Sequence, residues 1–127
     1  MIGPTTGLEK ELSVSGSVNQ YSLVKFASDD NTCEQASDST AEILGVAQFA
    51  PTTDQPQVRI RMSGISWVVL GTGGCTRGNP ITSDGSGNGV VAAPSAGTNA
   101  YIVGYAMGSG IAGQLVPVHI VPQRIQG

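Results

Sequence analysis

The stretch Ile102-Val103-Gly104-Tyr105-Ala106-Met107 has a near-copy earlier in the chain, Ile43-Leu44-Gly45-Val46-Ala47-Gln48. Each is a short apolar run with a glycine in third place, and each reads as a strand. A loop of small or turn residues follows each run, and then an alternating strand. That strand is Gln57-Val58-Arg59-Ile60 in the first copy and Gln114-Leu115-Val116-Pro117-Val118 in the second. An extended piece and an acidic turn precede each run: residues 23–26 with Asp29-Asp30, then 80–82 with Asp84-Gly85. The chain therefore reads as two related units of about 60 residues that share one core. A glycine at the same place in both suggests equivalent bends, as at the corners of a barrel.

Working outward, Leu12, Val14, Gly16 and Val18 alternate with Ser13, Ser15 and Ser17, the pattern of a half-buried strand. Residues 21–27 form the next strand, and a short one lies near Cys33. Val58, Ile60 and Met62 alternate with Arg59 and Arg61, and Gly64 ends or bends that strand. Residues 65–70 are apolar on both faces. Residues 79–83 and 90–93 flank a tight turn at 84–89. In the last strand, 115–121, Pro117 and Pro122 require an edge position or a bulge. The best helical window, residues 6–12, is too short to stand alone. The fold expected is mainly β: a compact β-barrel or β-sandwich of short antiparallel strands built from two related halves, with an extended N-terminal arm and little helix. Residues 1–11 make the arm, 12–122 a single β domain with pseudo-repeats at about 12–64 and 65–122, and 123–127 a loose tail.

Composition agrees with this reading. The 127 residues include 18 glycines and 7 prolines, which punctuate many short strands. Thirteen valines and eleven alanines stand against six leucines, so the core is built from small side chains and leans on a partner for stability. The net charge of −3 argues against an electrostatic grip on nucleic acid. No run approaches the roughly 18 apolar residues of a membrane span, and no signal peptide is visible. Cys33 and Cys75 are expected to be free thiols, since nothing marks a secreted chain, and two cysteines without ligand-spaced histidines make no zinc site.

The chemistry motifs fall away one by one. Gly108-Ser109-Gly110-Ile111-Ala112-Gly113 fits G-x-G-x-x-G, but a strand with Pro117 follows where a dinucleotide site needs a helix. The glycine-rich run 71–78 ends in Asn79-Pro80 rather than in the Lys-Ser/Thr of a phosphate loop. Residues 84–89 resemble half of a calcium loop, yet the glutamate needed at its twelfth position is Ser95. His119, the single histidine, has no serine or carboxylate in a triad arrangement. The acidic pairs Glu9 with Glu11 and Asp29 with Asp30 read as solvated. No catalytic, cofactor or metal residues are assigned, and the chain is read as a non-enzyme.

Two features suggest contact with partners. Arg59 and Arg61 share one face of a strand, which is either solvated or an interface stripe. Trp67 is either core or an interface anchor.

Five motifs then occur in order: Tyr-Ser-Leu-Val-Lys-Phe (21–26), Ile-Leu-Gly-Val-Ala-Gln (43–48), Val-Arg-Ile-Arg-Met-Ser-Gly-Ile (58–65), Arg-Gly-Asn-Pro-Ile-Thr-Ser-Asp-Gly-Ser-Gly (77–87) and Ile-Val-Gly-Tyr-Ala-Met (102–107). In this order the chain resembles the capsid cement, or decoration, proteins of tailed bacteriophages over residues 12–121. The polar arm and the glycine-rich insertion around Cys75 depart from that pattern. The resemblance implies a non-enzymatic β protein, made in the host cytoplasm and carried on the outer surface of the phage head. Such proteins sit commonly as trimers at threefold or quasi-threefold positions, and hold neighbouring capsomers together after the shell expands. The implied partners are the major capsid protein and two further copies of the chain, with no nucleic acid, membrane or cofactor.

On this reading the arm is short of internal contacts, and its apolar points Ile2, Pro4, Leu8 and Leu12 order on the capsid by adding a strand to an exposed edge. Arg59, Arg61, Trp67 and Arg77 are the candidate subunit or capsid contacts. The alternative is a carbohydrate-binding or adhesin module displayed on a virion or cell surface, for which Tyr101, Tyr105 and Trp67 are the available rings.

Overall fold

Strict alternation of burial sets the strands. In Gln57–Arg61, Val58 and Ile60 are wholly buried while Gln57 and Arg59 face solvent. A computed structural model describes residues 3–127. Its first half holds β1 (Glu9–Val14), β2 (Leu23–Phe26), β3 (Thr32–Gln35), β4 (Gly45–Ala47) and β5 (Gln57–Arg61). Its second half holds β6 (Ile65–Val69), β7 (Pro80–Ser83), β8 (Gly89–Val91), β9 (Asn99–Ala106) and β10 (Leu115–Gln126). None of the described residues is helical.

The first five strands form a closed barrel in the order β1-β3-β2-β4-β5, shut by β1, which pairs antiparallel with β5 and parallel with β3. Leu12, Val24, Cys33, Val58 and Ile60 fill it. The other five form a sheet in the order β6-β10-β9-β7-β8. Its core of Val68, Leu70, Ile81, Val103, Val116 and Val118 also takes in Leu23, Ile43 and Val46 from the first half. Apolar area is thus buried between the halves as well as within each.

The two halves use the same pairings in the same registers. Val46 faces Arg61 and Ala47 faces Ile60, as Tyr105 faces His119 and Ala106 faces Val118. Val24 faces Gly45, as Ile81 faces Gly104. Val14 meets Cys33 in parallel, as Leu70 meets Gly89. At Gly45 a side chain would run into the carbonyl of Arg61, and at Gly104 into that of His119. The shared glycine of the two sequence runs therefore marks one place in both sheets, where the neighbouring strand comes too close for a Cβ.

The halves differ where β1 and β6 meet their parallel neighbours. In the barrel the Ser13 amide donates directly to Asn31 O at 3.0 Å. In the second sheet the start of β2 is wedged into the corresponding gap. Val69 donates to Tyr21 O at 3.3 Å, and Leu23 donates to Gly87 O at 2.8 Å. Tyr21 takes a positive φ of 60° to make this entry, rare for a residue with a side chain.

Several sequence expectations change. β1 begins at Glu9, not Leu12, because Glu9, Lys10 and Glu11 pair with Arg61, Ile60 and Arg59. The arm is not short of internal contacts: Thr5 pairs with Ile65 through bonds of 3.0 and 2.9 Å, and Leu8 accepts from the Met62 amide at 2.8 Å. The tail is not loose, since residues 123–126 pair with residues 99–102 of β9. The ladder shifts register between Ile120 and Gln123, and that bulge accommodates Pro122. Pro117, by contrast, lies in a central strand. The β9 ladder ends at the next residue, Val118, so the missing amide falls at its last rung, while Pro117 O still accepts from the Met107 amide at 2.8 Å.

Candidate interaction surfaces

The arm lies along the seam between β5 and β6. Its Pro4 and Leu8 are exposed, with Leu8 64% accessible, and the Leu8 amide donates to Ser63 Oγ at 2.7 Å. Ile2 lies outside the described residues. Leu12 faces the barrel interior at 5% accessibility, so it serves the core and offers nothing to a partner.

The two arginines of β5 point outward but do different work. Arg61 Nε donates to Glu9 Oε2 at 2.8 Å and its Nη1 donates to Ile65 O at 2.9 Å, which ties β1, β5 and β6 together. Arg59 stands 3.9 Å from Glu11 and 5.9 Å from the centre of the Phe49 ring, with half of its side chain in solvent. Glu9 and Glu11, read from sequence as solvated loop acids, are cross-strand partners of these arginines. The signal was present: both pairs are spaced two apart, the period of a strand.

Trp67 projects with Ile65 and Val69 from the outer face of β6 and is half-buried. Opposite it stands Pro117, and beyond Pro117 stands Met107; Leu115 faces Val69. Met107, Leu115 and Ile111 of the β9–β10 loop are 53%, 42% and 69% accessible. These three were not singled out in the sequence, where Ile111 fell in the glycine-rich loop and Met107 and Leu115 at strand ends. The loop they frame is stiffened from below. Cys75 and Gly110 exchange two backbone bonds of 3.0 Å, and the Arg77 amide donates to Ser109 Oγ at 3.0 Å. Arg77 is therefore exposed on a segment braced against the β9–β10 loop. Trp67 and Arg77 belong to the second half of the chain, whereas the arginines of β5 belong to the barrel.

The remaining motifs have structural roles. Asp84 Oδ1 accepts from the Ser86 and Asn88 amides at 2.8 and 3.0 Å and so organises the β7–β8 turn. Among the described residues, no three His, Cys, Asp or Glu side chains converge as metal ligands would. His119 is exposed in β10 between Ile65 and Tyr105. Cys33 and Cys75 are free thiols in separate cores, and burial pushes both above their ordinary pKa. Asp29 and Asp38 sit below the carboxylate range: Asp29 because it accepts from the Asn31 amide, Asp38 because it accepts from the Thr40 hydroxyl and amide. A cleft of about 370 Å³ opens beside β8, lined by Val91, Ala92, Ser95, Thr98 and Asn99 among others, none of them charged.

Neither the family models nor the curated proteins contain a match to this chain. Among solved structures the chain is similar to the N base of the head fiber gp8.5 in bacteriophage phi29. The TM-score is 0.63, covering 94% of this chain and 98% of that one, at 21% sequence identity. At that identity the likeness is one of fold.

Proposed function

We infer that the chain is a structural protein of a bacteriophage head: a decoration protein that binds the outer surface of the expanded shell as a trimer and bridges neighbouring major capsid proteins. The observation that carries this is the shared fold with a head-fiber base over nearly the full length of both chains. The ordered phage-like motifs of the sequence support it independently.

The physical design suits docking rather than turnover. Exposed Met107, Ile111 and Leu115 and half-buried Trp67 offer apolar area, and exposed Arg77 offers directional hydrogen bonds. Pro4 and Leu8 of the arm offer a second point of attachment. Three copies multiply individually weak contacts, because the second and third engage at high effective concentration. A shell stitched in this way resists the outward pressure of packaged DNA.

The test is to mix the purified protein with expanded, undecorated heads. Saturable binding in multiples of three, with raised heat resistance of the heads, is the expected result. A monomer that ignores such heads would refute the reading. The carbohydrate-binding alternative finds no support in the cleft, whose lining has no aromatic ring on which a sugar could stack.

A further inference from the structure

Because the halves share their registers, the same backbone positions recur on the outer faces of both sheets, and their side chains can be compared one by one. Glu9, Glu11 and Ser13 of β1 correspond to Ile65, Trp67 and Val69 of β6. Gln57, Arg59 and Arg61 of β5 correspond to Leu115, Pro117 and His119 of β10. Gln48 corresponds to Met107: each amide donates at 2.8 Å to the strand beside it, the first to Arg59 O and the second to Pro117 O.

The backbone is common to the two faces and the chemistry is not. In the barrel these positions carry acids, arginines and uncharged polar groups, and the charges answer one another, Arg61 with Glu9 at 2.8 Å and Arg59 with Glu11 at 3.9 Å. That is the composition of a solvated face. In the second sheet the same positions hold no Asp, Glu, Lys or Arg, and all but His119 are apolar. The strand geometry does not require this, since the barrel meets it with polar side chains. Among the described residues the chain itself covers only the near rim of the apolar face. Thr5 pairs with Ile65, and a Cβ on Gly3 would stand 3.3 Å from the Trp67 ring. Farther across, Leu115 and Met107 remain 42% and 53% accessible.

The distribution of charge points to what covers the rest. Residues 1–64 hold four Lys or Arg and eight Asp or Glu, a net of −4, and residues 65–127 hold two and one, a net of +1. Copies of the chain that met through their barrels would bring like charges together, which is unfavourable. Copies that met through the second sheet would hold the acidic barrels apart and place no formal charge from this face in the contact. Contacts between identical chains are also the more apolar class of interface.

We propose that the outer face of β6 and β10, extended by Met107, is the surface through which the chain binds a second copy of itself. This rests on the head-protein reading above for the existence of an oligomer and adds the face that forms it. Trp67, half-buried before association, is the anchor, and Met107 and Leu115 supply area that association removes from water.

The test gives the second sheet the side chains that the barrel carries. Met107→Gln and Leu115→Gln are combined in one full-length chain, and Gln57→Ala, at the barrel position matching Leu115, is the control. In sedimentation equilibrium without heads, the double variant is expected to self-associate at least about tenfold more weakly than the unsubstituted chain, and the control equally well. Far-UV circular dichroism of all three is expected to agree. A photo-reactive group at position 115 is expected to label a second copy of the chain, with or without heads present. Undiminished association of the double variant, or labelling of the shell protein alone, overturns the proposal. A strictly monomeric unsubstituted chain that still binds heads overturns it too and leaves the head-protein reading standing. An oligomer that the double variant dissolves but that ignores expanded heads overturns the head-protein reading and leaves the interface standing. If the double variant fails to fold, Leu115→Gln alone and the labelling decide.

Discussion

Arg61 Nε and Glu9 Oε2 stand 2.8 Å apart across the β1–β5 ladder, with 13% and 20% of their side chains accessible, and the same guanidinium reaches Ile65 O in the second sheet. One side chain thus closes the barrel and joins it to its neighbour. Arg61→Ala is expected to destabilise the fold by about 1–3 kcal/mol, because it leaves a shielded carboxylate and a carbonyl without their donors. Arg59→Ala, which loses a solvent-screened contact, is expected to cost about 0.5 kcal/mol or less. Urea unfolding of the two variants side by side measures the difference; equal losses would deny Arg61 its bridging role.

Gly45 and Gly104 make a matched pair of substitutions. Alanine at either forces the neighbouring strand away at a carbonyl, with an expected cost of about 1–3 kcal/mol each. Gly85 has open space around a Cβ, so Gly85→Ala is the control and is expected to be nearly neutral. A neutral Gly104→Ala in thermal melts would mean that β9 and β10 are spaced more widely than described.

Burial holds the Cys33 thiol above its ordinary pKa of 9.0. The native state therefore keeps a proton that the unfolded chain gives up, so stability from this group is complete below that value and declines as pH rises through it. The thiol is expected to resist a disulfide reagent in the folded protein and to react fully in concentrated guanidinium. Fast labelling of the native protein would show that the barrel opens. Cys33→Ser, which puts a hydroxyl among Val24, Val58 and Ile60, is expected to cost about 1–3 kcal/mol.

Ile111→Asp and Leu115→Asp change exposed positions and are expected to leave the melting temperature almost unchanged. Both are expected to weaken attachment to heads or to dissolve the trimer. Sedimentation equilibrium distinguishes these two effects, and full retention of both properties would remove this face from the proposal.

The arm is expected to contribute to head binding without holding the oligomer together. Removing residues 1–6 spares β1 and should reduce the bound fraction while the trimer persists. The same affinity from the shortened chain would leave Thr5 with a purely internal role.

How much of this was legible in the sequence depended on where each strand's partner lay. The runs at 43–48 and 102–107 could be read because apolar alternation and a repeated glycine are local signals. Glu9–Glu11 were harder to read, because their two-residue spacing gains meaning only from Arg59 and Arg61, fifty residues away, and the apolar alternation of their strand starts only at Leu12. The end of β10 was hidden for a similar reason: Gln123-Arg124-Ile125-Gln126 is mostly polar and becomes a strand only because β9 offers an edge. The wedge at Tyr21 left no trace, since an aromatic before an apolar run looks like any strand start. Among the candidate contacts, Trp67, Arg59 and Arg77 were named by residue type, and the fold leaves both arginines exposed and Trp67 half-buried. Leu12 was misplaced because apolar points in an arm and in a core strand look alike.

Tyr21–Leu23 plug a gap in a sheet to which they do not belong, and only Met62–Gly64 connect the two halves along the chain. A polypeptide severed at Ser63 should therefore behave like a key and a lock. The C-terminal piece, expressed alone, lacks the tooth that fills its slot and should stay insoluble or unfolded. Supplying the N-terminal piece in trans should recover it as a stoichiometric, non-covalent complex.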